Sequence, residues 1–200
     1  MSKMTRPQLV VAQLFYPAFL GNMTYEAANK LFAASSDFDW TARFVVLALL
    51  THFVLDWVYT VVEVDPDDGL SHPYTVVQGV LDTVMVLCLY VAVRLVLNLP
   101  PALFEGHWTK LGEPAVWLLA AKLVALGWEL SEIDNLSEPV KWPPIKWLEL
   151  CLDGGFALLY WALLFELWGV SSRGLVFGAL VALDAAGYEL HARCKQRLKS

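Results

Sequence analysis

The sequence predicts an all-α, polytopic integral membrane bundle with five or six transmembrane helices. Three observations predict it. The 200 residues are 58% apolar and only 17% charged, with a mean hydropathy of +0.52. A soluble domain has about 45–50% apolar and about 25% charged residues. Residues 44–62, 74–97, 114–130, 148–168 and 174–192 are each apolar over roughly the 17–25 residues that a helix needs to cross a bilayer. Nine Trp and seven Tyr suit a chain that meets membrane interfaces.

The first segment, residues 8–22, is short and interrupted by Pro17. It reads as a short span, a re-entrant piece or an interfacial helix. Gly21-Asn22-Met23 is a poor cleavage site, so the segment is expected to stay in the mature chain. The turn cluster Asp65-Pro66-Asp67-Asp68-Gly69 separates the next two spans. Pro100-Pro101 ends the 74–97 span, and Pro114 is expected at a first helical position. Trp142-Pro143-Pro144 precedes Ile145-Lys146-Trp147, an aromatic and basic surface anchor. Trp40, Trp108, Trp142, Trp147 and Trp168 read as interfacial belt. Gly154-Gly155 and Gly178 are expected to let helices approach closely. The chain then ends in a basic tail, 193–200, with Arg193, Lys195, Arg197 and Lys199. Such a tail favours the cytoplasmic side. The whole chain, 1–200, is expected to be one transmembrane domain, because no loop or tail is long enough for a soluble one.

Composition excludes several functions. A net charge of −6 repels a phosphate backbone, which speaks against nucleic acid as a partner. Cys88, Cys151 and Cys194 are scattered, with neither disulfide nor zinc spacing. No serine-hydrolase elbow, phosphate-cradling loop or paired-histidine haem site occurs. No metal or organic cofactor is required.

The unusual feature is acid inside the spans. Asp56, Asp82, Glu129, Asp153, Glu166, Asp184 and Glu189 fall within the apolar segments or their last turns. A charge at the bilayer centre costs about 2.5–3.5 kcal/mol even on the lenient insertion scale. Such groups therefore face a bundle interior, a partner copy or water. Helical spacing gathers them on single faces. His52 and Asp56 are i,i+4 with Tyr59 three further on, and Tyr74, Gln78 and Asp82 are spaced by four. Glu149 and Asp153 are i,i+4 with Tyr160 beyond, and Asp184, Tyr188 and His191 are spaced four and three. Each helix so offers one polar stripe to a common chamber. Lys122 and Glu129, seven apart, are expected to form a structural ion pair. Glu166 and Glu189 lie near span ends and suit snorkelling to water. A satisfied His52, donating to a carbonyl one turn back, is the plain alternative to a functional one.

Carboxylates in an apolar, aromatic pocket suit two kinds of work. One stays protonated as a general acid, while an ionised neighbour and aromatic faces stabilise a cation. The same acids also suit a proton or cation path, or the holding together of helices and copies.

Two family resemblances follow from particular residues. The stretch from Trp40 to Tyr59, with His52-Phe-Val-Leu-Asp56, resembles the His-x-x-x-Glu helix of emopamil-binding-type sterol isomerases; here the acid is Asp. Asp82-Thr83 resembles that family's next acidic helix. Asp56-Trp-Val-Tyr59 is similar to the acid-x-x-Tyr of small membrane-bound terpene cyclases of meroterpenoid pathways. Asp184-Ala-Ala-Gly-Tyr188 resembles their last-helix Asp and Tyr, with one extra residue between them. Both resemblances imply acid-initiated carbocation chemistry, cyclisation or double-bond isomerisation, on an isoprenoid or sterol-like lipid. Asp56 and Asp184 would be the acid pair, with His52 and Asp82 assisting. Tyr59, Tyr188, Gln78, Asp153 and Tyr160 would contact substrate. The competing expectation is a non-catalytic membrane subunit, possible as a homo-oligomer: a proton or cation path, a lipid sensor or a scaffold for a soluble partner.

Overall fold

The computed structural model describes residues 10–32, 40–62, 76–98, 108–131, 144–164 and 173–199. Every element among them is helical. A π-helical turn, Val11–Phe15, leads into α1, Tyr16–Leu31. Then come α2 (Trp40–Val62), α3 (Val76–Asn98), α4 (Trp108–Ser131), α5 (Pro144–Leu164) and α6 (Arg173–Lys199). The predicted all-α membrane bundle is thus the fold of this chain.

Four helices are long and apolar enough to cross a membrane: Trp40–Val58, Val76–Asn98, Gly112–Ser131 and Pro144–Leu164. The expected span at 174–192 and the described part of 8–22 fall short of that mark; residues 8 and 9 lie outside the described residues. In α6 the cause is its charge, because Asp184, Glu189 and Arg193 dilute the apolar run. Its packing nevertheless sets it at the depth of α2. A Cβ at Gly178 would meet the Phe44 ring and lie 3.1 Å from Val45. His52 lies beside Asp184, and Tyr188 bonds to Asp56. These pairs climb together, so α2 and α6 run parallel in a fixed register.

Pro17 does not interrupt the first segment. The turn before it widens, and the Tyr16 N–H reaches the Val11 carbonyl five residues back. Pro17 itself sits in the first turn of α1, directly after the widened turn, which makes room for its ring. The helix then runs on past Asn22 to Leu31. Pro114 is a correction of another kind: α4 starts at Trp108, so this proline lies inside the helix. Gly154 and Gly155 do not mark a close approach, since a Cβ at either would meet nothing within 4 Å. Gly178 does mark one.

The neighbours α2–α3, α3–α4, α4–α5, α5–α6 and α6–α2 close a five-helix ring, and α1 packs against α2 and α3. Gly112 faces Leu164, Lys122 faces Asp153 and Glu129 faces Lys146, so α4 and α5 are antiparallel. The two ends of the ring differ. Toward the start of α2 and α6 the interior holds Val45, Leu49, Leu118, Leu163, Phe177 and Val181, all buried. Toward their far ends it is polar. Both the acids and the basic end of α6 therefore belong to the same half of the bundle. Trp40 and Trp147 are exposed, as belt residues should be, and Glu189 pairs with Arg193 at the surface. Glu166, Trp142 and Trp168 lie outside the described residues, as does the Trp108 side chain.

Candidate functional site

The polar half of the ring holds two storeys of charge. The inner one is built from α1, α2, α4, α5 and α6. Asp56 lies about 9 Å short of the end of α2 and is buried to 2% exposure. It accepts a hydrogen bond at Oδ2 from the Tyr16 hydroxyl and another at Oδ1 from the Tyr188 hydroxyl, at 2.7 Å. Asp184 accepts from Tyr160 at 3.0 Å. Lys122 Nζ lies between two carboxylates, 2.6 Å from Asp184 and 3.0 Å from Asp153. His52 Nε2 is 3.9 Å from Asp184 Oδ2, close enough for attraction but too far for a hydrogen bond. Aromatic faces complete the wall. Lys122 Nζ is 5.3 Å from the Tyr188 ring centre and 5.7 Å from that of Phe156. Tyr188 meets His52 edge-on at 5.4 Å, and Tyr16 meets Phe53 likewise at 5.4 Å.

Charge does not balance in this storey. Asp56, Asp153 and Asp184 supply three carboxyl groups against one ammonium and one imidazole. In a low-dielectric interior an excess of one sign is expensive. The arrangement therefore suits a proton or a cationic guest, and it opposes an anionic one.

The outer storey lies one to two turns nearer the end of α6. Lys146 Nζ is 2.8 Å from Glu129 and 2.8 Å from Glu149. His191 Nε2 is 2.5 Å from Glu149, and Lys146 stands over the Trp128 ring at 5.7 Å. Glu129, Glu149 and His191 are all buried.

Several sequence expectations meet here. Asp56, Asp184, His52, Tyr188, Asp153 and Tyr160 do converge. Gln78 and Asp82 are buried in the first two turns of α3. The Tyr59 side chain lies outside the described residues. The expected Lys122–Glu129 pair does not form: Lys122 turns to α5 and α6, and Glu129 to Lys146 on α5. The reason is distance, since seven residues separate the two by about 10 Å along the axis. Glu149 and Asp153 share a face but serve different storeys. His52 does not donate to a carbonyl one turn back, because its Nδ1 has no hydrogen-bond partner among the described residues. Leaving such an atom unmatched costs about 1–3 kcal/mol. Sequence reasoning missed Tyr16. The available signal was a lone phenol in an apolar run, hidden by reading Pro17 as a break. Among the described residues no group of three His, Cys, Asp or Glu could hold a metal ion. No protein-family model, curated protein or solved structure matches this chain.

Proposed function

We propose that the chain is an integral-membrane enzyme that performs acid-initiated carbocation chemistry on an isoprenoid or sterol-like lipid. The observation that carries this reading is the meeting of Asp56 and Asp184. The two acids come from parallel helices far apart in sequence, and Tyr188 and His52 lie between them. In this reading Asp184, paired with Lys122 at 2.6 Å, helps to stabilise the cation, and Asp56 delivers the proton. The proton passes from Asp56 to an alkene carbon or epoxide oxygen of the lipid. The resulting cation is held by the remaining carboxylates and by the Tyr188 and Phe156 faces. Loss of a proton from the cation to the Asp56 carboxylate gives the product alkene and restores the acid. Cyclisation and double-bond isomerisation both follow this course, in line with the sequence resemblances. The apolar half of the ring supports a pocket open from one side over a path through a single copy.

A second reading is a non-catalytic subunit, whose acids serve only to lock helices together. Its support is the number of internal pairings made by Lys122 and Lys146. Thermal stability in detergent separates the two. Lipophilic amines that mimic carbocations should raise Tm by several degrees, and Asp56→Asn or Asp184→Asn should remove that response while the protein still folds. No response in the wild type, with altered oligomer size in both variants, would retire the enzyme reading.

The basic tail after α6 supports a cytoplasmic position for that end of the bundle, and with it for the polar half. Cys194, partly exposed near this end, reports on it. A membrane-impermeant maleimide should label Cys194 in intact cells only after the membrane is opened. Labelling of unopened cells would reverse the orientation.

A further inference from the structure

His52 is the one member of the inner storey whose chemistry is incomplete. Its side chain is 2% exposed, so bulk solvent does not reach it. Its Nε2 edge faces the Asp184 carboxylate at 3.9 Å, and the ring packs against Tyr188. Its Nδ1 has no hydrogen-bond partner among the described residues. Buried polar atoms are almost always matched, and an unmatched one in a site is a place for a ligand atom. The Asp184 carboxylate, though too far for a hydrogen bond, favours by its charge a proton on the nitrogen facing it. Nδ1 then accepts a hydrogen bond when the ring is neutral and donates one when the ring is charged. Either way its natural guest is an oxygen.

The surroundings restrict which oxygen. The Asp153 and Asp184 carboxylates already outnumber the single ammonium of Lys122. A phosphate, diphosphate or carboxylate guest would add like charge to a low-dielectric cluster and be rejected. A pure hydrocarbon would enter but leave Nδ1 unmatched. We infer that the site selects an uncharged, oxygen-bearing isoprenoid lipid, an alcohol or an epoxide, and that His52 Nδ1 holds its oxygen. This deepens the proposed function and rests on it. It assigns substrate class: the lipid arrives after any diphosphate has been removed or as an oxidised hydrocarbon. The reaction that supplies it is therefore a hydrolysis or an oxygenation.

Four probes test this in the purified full chain, at equal mole fraction in the micelle. Farnesol, farnesene and farnesyl diphosphate share one tail and differ at one end; a farnesyl-type tertiary amine reports on the pocket itself. Farnesol should raise Tm well above farnesene, equivalent to roughly tenfold tighter binding. The diphosphate should give no shift. In His52→Phe farnesol should fall to the level of farnesene, while the amine response survives. His52→Gln, which keeps a polar atom near that position, should retain part of the preference for farnesol and covers the case that His52→Phe fails to fold. An amine response with equal shifts for farnesol and farnesene would overturn this inference and leave the lipid pocket standing. Preference for the diphosphate would overturn it too. No response to any of the four overturns both.

Discussion

Replacing Lys122 by Met is expected to destabilise the bundle by about 3–5 kcal/mol, the largest loss of any single substitution in the inner storey. Met keeps most of the volume and the flexible stem, so packing changes little. What goes is the only ammonium between Asp153 and Asp184, at 3.0 and 2.6 Å. Asp184 is almost wholly buried, and among the described residues no second lysine pairs with it. The cost is that of two carboxylates left facing each other, not the worth of the pair itself, which a well-packed apolar group could equal. That distinction makes the prediction sharp. Adding Asp184→Asn to Lys122→Met should restore much of the loss, because it removes a stranded charge. Chemical or thermal unfolding of the two variants in the same detergent checks it. If the double variant is as unstable as the sum of the single ones, Lys122 stabilises by packing and not by charge. Lys146 offers the internal comparison. It also bridges two carboxylates, at 2.8 Å each, but its side chain is 20% exposed, so water can replace part of what Lys146→Met removes. Its loss should cost less.

The fold was legible because membrane helices announce themselves by run length and composition, which need no knowledge of partners. The inner face of each helix was legible for a related reason. Acids in lipid are so costly that their spacing maps the interior. That is why Asp56, Asp184 and Asp153 stood out, and why they do lie together. Pairings were not legible. Periodicity says which face a residue takes, not which neighbour stands opposite. Lys122 and Glu129 share a stripe, yet each finds its partner across a helix boundary. Asp184 and Tyr188 sit one turn apart, yet Tyr188 donates to Asp56 because parallel packing sets α2 opposite. Asp184 takes its phenol from Tyr160 on α5 instead. Proline misled twice. Pro17 and Pro114 both read as boundaries, and the helix absorbs both, the first behind a widened turn. The whole outer storey depends on α5 beginning at Pro144, which brings Lys146 into the helix. The apolar run alone placed that start four residues later, at 148, and so left Lys146 in a surface anchor.

A substitution well away from the inner storey should silence it. At Gly178 α6 packs tightly on α2: a Cβ there would press on the Phe44 ring and sit 3.1 Å from Val45. Gly178→Ala is expected to be nearly neutral. Phe44 is 38% exposed and can swing toward lipid, and alanine favours a helix over glycine by about 1 kcal/mol. Gly178→Leu cannot be absorbed so. Its branched side chain meets Val45 as well, which is wholly buried, and overpacking of this kind costs about 1–3 kcal/mol. The functional effect should exceed the loss of stability. Asp184 lies about 9 Å along α6 from Gly178, and the same helix pair carries both the Tyr188–Asp56 hydrogen bond and the His52–Asp184 contact. Parting the helices at Gly178 pulls those groups out of reach, since a hydrogen bond does not survive a displacement of even 1 Å. Gly178→Leu should therefore stay folded but lose the Tm response to lipophilic amines, and Phe44→Ala added to it should recover part of that response by making room. A Gly178→Leu variant that responds like the wild type would mean that the site is held by α4 and α5, through Lys122, and that the α2–α6 contact serves the apolar half of the ring alone.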